Sequence, residues 1–394
     1  MVGQAGRESG SDIGRRRVGA AGRLRPLAVA LVASGIALSA AIAAPAPASH
    51  VTGQPEGSAR TQKKSVWGPI KHEGRSMFPT YHDLGAGIYQ TQAHWNQIAF
   101  QGRPAEPRNP DDPAYSWPSY LDYAVTEAEK HGIKVMIQII GSPRWANGGR
   151  HWSWTPHQPS DFADFATAIA KKYPSVRLWM IWGEPNRRPN FKPLKPARRT
   201  AKTRLTKRQA RAPRIYAQLL DTAYAALKDL DPANLVIGGN TYTAAGPGAI
   251  YTYQWLRYLR LPDGSRPRMD MYGHNPFTFR KPRFSKRPSR KGAVGFGDLH
   301  RLARRLDRVF PDQDLPLFLS EWGVPIGFKD KDLLFSLKPR EGKRWIKAAF
   351  RIARRWDRIY TLGWVHPVDT RSNSQGLLDA DGNVKPGYDA FQAG

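Results

Sequence analysis

Arg177-Leu178-Trp179-Met180-Ile181-Trp182-Gly183-Glu184-Pro185-Asn186 is a short apolar run that stops on a carboxylate with a proline behind it. The run has the length of a strand, and Pro185 blocks ordinary continuation of strand or helix, so Glu184 is presented at a strand end. The same design recurs where Leu317-Phe318-Leu319 delivers Glu321 between Ser320 and Trp322. Working outward from these two, strand-like runs can be placed at 65–70, 87–93, 133–140, 176–183, 235–240, 269–274, 315–321 and 359–365. Between them the spacing predicts helices over 120–131, 161–173, 214–229, 298–309 and 343–356, with weaker patterns at 77–84 and 251–259. Strands alternating with helical crossovers are the sign of a parallel sheet, and eight of them predict an α/β chain folded as a single (β/α)8 TIM barrel over 65–394. The competing doubly wound sheet would usually carry a Gly-rich phosphate loop after its first strand, and Trp67-Gly68-Pro69-Ile70 is not one.

Composition narrows the chemistry. The 394 residues include 13 Trp and 40% hydrophobic residues, enough apolar surface for a sizeable core, which argues against wholesale disorder. The absence of Cys excludes disulfide scaffolds, thiolate metal sites and cysteine nucleophiles. No cofactor or metal is implied, because the histidines show neither an HExxH pattern nor another paired-ligand spacing.

Residues 1–48 read as a signal peptide: Arg15, Arg16, Arg17, Arg23 and Arg25 precede an Ala/Leu/Val stretch that runs into Ala46-Pro47-Ala48. An uncleaved anchor is the alternative. Cleavage predicts a secreted, extracellular protein, with cell-envelope association as a further option, and residues 49–64 form a flexible leader. No later run is long enough to be a transmembrane helix. The formal charge is +29; six Arg and two acids leave with residues 1–48, so the mature chain keeps +25. Much of that sits in two runs without an acid, twelve Lys/Arg in 187–214 and seven in 280–291, after the fourth and sixth strands. Both should border the barrel mouth and set up a field that concentrates polyanions, such as an anionic glycan or envelope polymer. A merely solvated charge run is the alternative. Nucleic acid has charge alone in its favour, with no helix-turn-helix, RRM or zinc motif beside it.

In a barrel the chemistry sits at the carboxyl ends of the strands. Those ends are polar and aromatic here: Ser142-Pro143-Arg144-Trp145, Asn240-Thr241-Tyr242, His274-Asn275-Pro276-Phe277 and Trp364-Val365-His366-Pro367, besides the two that carry Glu184 and Glu321. Strands four and seven face each other across the mouth, so the two carboxylates can flank one bond. A retaining glycosidase needs such a pair roughly 5–5.5 Å apart. The alternative for either Glu is an ion pair with a rim Arg.

Trp182-Gly183-Glu184-Pro185-Asn186 resembles the W-N-E-P-N acid/base motif of the clan A retaining glycoside hydrolases, the cellulase, β-xylosidase and α-L-iduronidase relatives, and Ser320-Glu321-Trp322-Gly323 resembles their nucleophile motif. The resemblance spans 65–394. It implies Glu184 as acid/base, Glu321 as nucleophile, His274 as a substrate-side histidine, and Trp364 as the floor of the cleaved sugar's subsite. Trp145 and Trp322 would add apolar faces for sugar rings, although each Trp or His could equally be core packing. Two positions depart from the pattern. Gly183 stands where the clan has an asparagine that holds the sugar 2-hydroxyl, and Gln90 stands where it has the arginine that supports the nucleophile. Loss of that cation predicts a raised Glu321 pKa. Asn186, Asn240 or Asn275 could replace the missing asparagine. The expected activity is hydrolysis of O-glycosidic bonds in an oligo- or polysaccharide with retention; a catalytically silent barrel that binds anionic envelope glycans is the alternative.

Overall fold

The computed structural model describes residues 61–196, 204–243, 248–277, 280–284, 292–331 and 333–394. All eight expected strands are present, as β1 (Thr61–Trp67), β2 (Ala86–His94), β3 (Lys134–Ile140), β4 (Leu178–Ile181), β5 (Leu235–Tyr242), β6 (Met271–Asn275), β7 (Leu317–Trp322) and β8 (Ile359–Val365). Each pairs in parallel with its neighbours, and β1 pairs with both β8 and β2, so the sheet closes into a barrel. β1 begins at Thr61, ahead of the expected strand, and Lys64 is buried within it, so the barrel claims the last four residues of the expected leader. The expected signal peptide lies outside the described residues. Among those described, no helix is long and apolar enough to cross a membrane.

A main helix follows each strand: α1 (Phe78–Asp83), α2 (Ser119–Lys130), α3 (Pro159–Lys172), α4 (Arg211–Leu230), α5 (Thr252–Tyr258), α6 (Leu299–Val309), α7 (Pro339–Arg355) and α8 (Tyr388–Gln392), with short helical turns at Trp95–Ile98 and Arg144–Asn147 directly after β2 and β3. Local signals account for the longer ones. Prolines open α3 and α7, acids stand in their first turns and paired cations in their last turns, as the helix dipole favours. α6 buries Leu299, Leu302, Ala303, Leu306 and Val309, a stripe at helical spacing that packs on the barrel wall.

Side chains alternate between two layers along each strand. Ile88, Met136, Leu178, Met180, Ile237, Met271 and Phe318 fill the barrel interior, while their neighbours pack outward against the helices. Two bulges break this alternation near the mouth. On β7 the register against β8 slips between Leu319 and Trp322, and on β5 the register against β6 slips between Gly238 and Thr241. A bulge adds a residue to one strand and re-aims the side chains after it.

Candidate active site

β4 ends in a strained turn, with φ of 64° at Trp182 and 43° at Glu184. Left-handed backbone at a non-glycine residue costs about 1–3 kcal/mol and gathers where function requires it. The turn buries Glu184 at 4% exposure and points its carboxylate across the barrel mouth. Asn275 Nδ2 donates to Glu184 Oε1 at 3.0 Å, and the same side chain hydrogen-bonds Glu321. One amide thus ties the β4 and β7 carboxylates together. On its other side Glu184 Oε2 is ion-paired with Arg187 Nη1 and takes a long bond of 3.4 Å from Asn190 Nδ2. Arg187 is itself 8% exposed, and its guanidinium lies over the Tyr242 ring, 4.5 Å from its centroid.

The bulge on β7 explains how Glu321 arrives. Strict alternation would turn Glu321 outward with Leu317 and Leu319, since Phe318 faces the interior. The extra residue lets Ser320 and Glu321 both turn inward before Trp322 returns to the outer layer. Burial pushes the Glu321 carboxyl up to about 8, with repulsion from Glu184 adding to the rise and Arg187 and Asn275 opposing it. The direction agrees with that expected from loss of the clan's arginine, but the leading cause is burial.

Gln90 does not approach substrate space. It is buried, donating from Nε2 to Ser320 O at 2.9 Å and Ser65 Oγ at 3.2 Å, and accepting from Ser320 Oγ at 2.9 Å. It therefore cross-links β1, β2 and β7 and fixes the residue before Glu321. Only glycine fits beside this link, because a Cβ on Gly363 would stand 2.0 Å from Ser320 O.

His274 is corrected for a related reason. Met271 faces the interior, so period two sends Gly273 and Asn275 inward and Tyr272 and His274 outward. His274 is 0% exposed; its Nε2 donates to Val294 O at 2.8 Å and its Nδ1 accepts from Thr241 Oγ1 at 2.9 Å. Burial pushes its pKa down to about 4. It is a structural histidine, and Asn275 is the β6 residue at the pair.

The three tryptophans are not the floor of the mouth. Trp322 and Trp364 are 0% and 1% exposed and meet edge to face at 5.5 Å in the outer layer, with Phe391 of α8 against Trp364. Trp145 packs edge-on against Trp95, donates to Ala99 O and lies under Arg103. Aromatic and apolar surface at the mouth comes instead from Trp67, Tyr242, Phe277, Leu333, Phe335 and Val365. Trp67 Nε1 donates to Ser320 Oγ at 3.0 Å, which places its ring beside the nucleophile strand.

Asn186 is also committed elsewhere, bonding Tyr242 N and Ile250 O and so tying the β4 turn to the end of β5. Asn240 sits in the β5 bulge with φ of 36°, fully buried, and neither amide atom meets a hydrogen-bond partner among the described residues. The space of the missing asparagine is occupied from β3: a Cβ on Gly183 would come within 2.7 Å of Gln138 Oε1. Gln138 in turn accepts from Gln92 Nε2 at 2.8 Å, and Gln92 Oε1 is 3.1 Å from His94 Nε2. Gly183→Asn is therefore expected to destabilise by about 1–3 kcal/mol through overpacking, and Gln138→Ala to relieve most of that cost. Urea unfolding of the two single variants and the double variant measures the coupling, and purely additive effects would reject this account of the space.

Sequence reading singled out neither Gln138 nor Arg187 as a site residue. Gln138 carried a signal, as a polar side chain inside the apolar run 135–140, whereas Arg187 was one basic residue among twelve. Arg198, Arg199 and Lys202 of the first basic run, and Lys286, Arg287, Arg290 and Lys291 of the second, lie outside the described residues. A cleft of about 370 Å³ lies away from the mouth, with Ser160 and Lys171 of α3 and Thr222 and Asp229 of α4 in its lining.

No protein-family model matches the sequence, and no curated protein matches it. Solved structures do share the fold. A family 39 glycoside hydrolase from the gut symbiont Bacteroides cellulosilyticus WH2 superposes with a TM-score of 0.59 at 18% identity, covering 85% of this chain and 63% of that one. A glucosidase from Croceicoccus marinus gives a TM-score of 0.59 at 15% identity, covering 86% and 68%. This chain thus spans less than two thirds of the first structure's length. The likeness is one of fold, and it agrees with the (β/α)8 barrel that the clan A motifs imply.

Proposed function

We propose that the chain is a retaining O-glycoside hydrolase in which Glu321 attacks the anomeric carbon and Glu184 serves as acid, then base. The observation that carries this reading is the pair itself: a buried carboxylate from β4 and a half-buried one from β7, at the carboxyl end of a (β/α)8 barrel, bridged by Asn275. Glu184 protonates the departing oxygen as the covalent glycosyl intermediate forms, and then activates the water that releases the sugar. Trp67, Tyr242 and Phe277 give the mouth the aromatic surface that sugar rings stack on. A screen of aryl glycosides and polysaccharides, with Glu184→Gln as control, tests the activity; a mechanism-based fluorosugar should label Glu321, and labelling of another acid would overturn the assignment.

A second reading, a silent barrel that binds anionic glycans, is favoured by one observation. The Glu184–Arg187 ion pair engages Oε2 of the residue that must deliver a proton. Binding without turnover in the same screen selects it. Export rests on the layout of residues 1–48, and the mass of the protein recovered outside the cell tests cleavage after Ala48.

A further inference from the structure

α7 presents its solvent face as a single row of cations. Arg340, Arg344, Lys347, Arg351 and Arg354 follow one another at intervals of four, three, four and three residues, which stacks them on one side of the helix. Arg355 widens the row at its end, and all six are exposed. At a rise of about 1.5 Å per residue the row runs for about 21 Å, with about one cation per 5.4 Å turn. α7 leaves the carboxyl end of β7 and returns to the start of β8, so the row begins on the mouth side at Arg340 and runs down the outer wall to Arg355. The one acid in α7 is Glu341, about 100° round the helix from Arg340, in the first turn where the dipole favours an acid. Arg340, Arg344, Lys347, Arg351 and Arg355 pair with no acid among the described residues, and Arg354 donates to Ala393 O at 3.2 Å. The cation of α7 that does pair, Lys343 with Asp389, is half-buried at the edge of the row.

The fold does not call for this row. The opposite face of α7, with Trp345, Ile346, Ala349, Phe350 and Ala353, is buried, and sets Trp345 against Phe335 and Phe350 against Phe391. That apolar face holds the helix on the barrel whatever its solvent side carries. Like charges three and four residues apart weaken a helix, whereas acids interleaved among the cations would have strengthened it. The row therefore adds repulsion without a structural return. It also stands in a line fixed by the barrel, so a partner of opposite charge meets it already ordered and offsets the repulsion on binding.

Dimensions select among the polyanions. Duplex DNA carries one charge per about 1.7 Å of axis, about three times the density of the row. A single strand binds through bases stacked on aromatic side chains, and the aromatic residues of α7, Trp345 and Phe350, are buried. A bilayer surface takes a helix whose apolar face is free to enter it, and that of α7 is taken up by the barrel. A stiff acidic glycan of equatorially linked rings turns successive rings over, so neighbouring acids point to opposite sides and only alternate ones meet a row on one side. A flexible chain of polyol units joined by phosphodiesters lacks these restrictions. Each of its phosphates swings to the same side and accepts from a guanidinium fork. We propose that the outer face of α7 is a docking site for a linear polyol-phosphate polymer, which lies along the row from Arg340 to Arg355 and holds the barrel on it. The site is separate from Glu184 and Glu321 and goes beyond the reading of that pair as a glycosidase.

The experiment titrates the full chain into labelled synthetic polyglycerol phosphate and reads fluorescence anisotropy over a series of salt concentrations. Counterion release contributes a slope of about −0.7 per phosphate contact on a flexible polyanion, so six contacts predict a slope of log K against log salt of about −4. The triple variant Arg344→Gln, Lys347→Gln, Arg351→Gln should halve that slope and weaken binding about 100-fold at about 0.1 M salt. A control triple, Arg75→Gln, Lys134→Gln, Lys171→Gln, removes the same charge from exposed positions elsewhere and should change neither. The row variant should melt no lower than the wild type, because it loses repulsion, so unfolding does not account for its weaker binding. Duplex DNA, polygalacturonate of equal charge and phosphatidylglycerol vesicles should bind about tenfold more weakly or less, with no dependence on the row. Failure of polyglycerol phosphate to bind, or equal losses in the two triple variants, would overturn the proposal. So would binding of DNA, polygalacturonate or vesicles through the row as tightly as polyglycerol phosphate. None of these results bears on the carboxylate pair, whose hydrolysis of a small neutral aryl glycoside should be the same in the wild type and the row variant.

Discussion

Glu321→Gln is expected to leave turnover below detection on every substrate, including aryl glycosides whose leaving group needs no protonation. A glutamine amide cannot form the covalent intermediate, and good leaving-group chemistry does not compensate for a missing nucleophile. Glu184→Gln should behave differently. General acid assistance is worth roughly 10²–10⁴-fold, so this variant should lose about that much on poor leaving groups and far less on activated ones. Azide should rescue the two variants with opposite stereochemistry, giving a retained glycosyl azide with Glu184→Gln and an inverted one with Glu321→Gln. The barrel should persist in both, because Gln keeps the volume of Glu and Asn275 can still bond the remaining oxygen. Circular dichroism checks this, and loss of the fold in either variant would disqualify its kinetics as evidence of role. If Glu184→Gln is the dead variant on activated substrates and Glu321→Gln responds to the leaving group, the two roles are reversed.

The second large effect is on stability as a function of pH. The ordinary carboxyl value for Glu321 is 4.5, and in the fold it is pushed up to about 8. Between those values the folded protein keeps a proton that the unfolded chain has released, so stability falls as pH rises through this window. His274 acts in the other direction. Its ordinary value of 6.5 is pushed down to about 4, so the unfolded chain binds the extra proton and stability rises with pH between about 4 and 6.5. The two contributions oppose each other below pH 6.5, and above it Glu321 acts alone of the two. Glu321→Gln should therefore match the wild type near pH 4 and become progressively more stable than it toward pH 8. The gap should grow by up to about 1.4 kcal/mol per pH unit. Urea unfolding of both proteins at pH 4.5, 6.5 and 8 measures it, and a gap independent of pH would mean that Glu321 ionises as an ordinary surface carboxyl.

The sequence by itself determined the barrel. Eight strand-length apolar runs separated by seven helical patterns leave few architectures, and every run falls on an observed strand because strand and helix periodicities are local properties of the chain. It also determined which strand ends carry acids, since Pro185 and the polar residues that close each run are local signals. For β6 it held part of the answer: alternation puts Met271, Gly273 and Asn275 on one face and Tyr272 and His274 on the other, so His274 and Asn275 cannot both face the mouth, and the structure decides which face is inward.

Tertiary structure alone decided the rest, where the answer depended on registers and distances between segments far apart in the chain. The β7 bulge, defined only by its slip against β8, turns Glu321 inward against its own alternation and sends Trp322 out to meet Trp364. Gly183 reads as a lost contact until Gln138, from a strand some forty residues away, is seen to fill its space. Arg187 reads as one charge in a basic loop, because charge along a sequence does not tell which cation is buried. Only the turn after β4, folding that guanidinium against Glu184 and the Tyr242 ring, makes it a buried cation beside the pair.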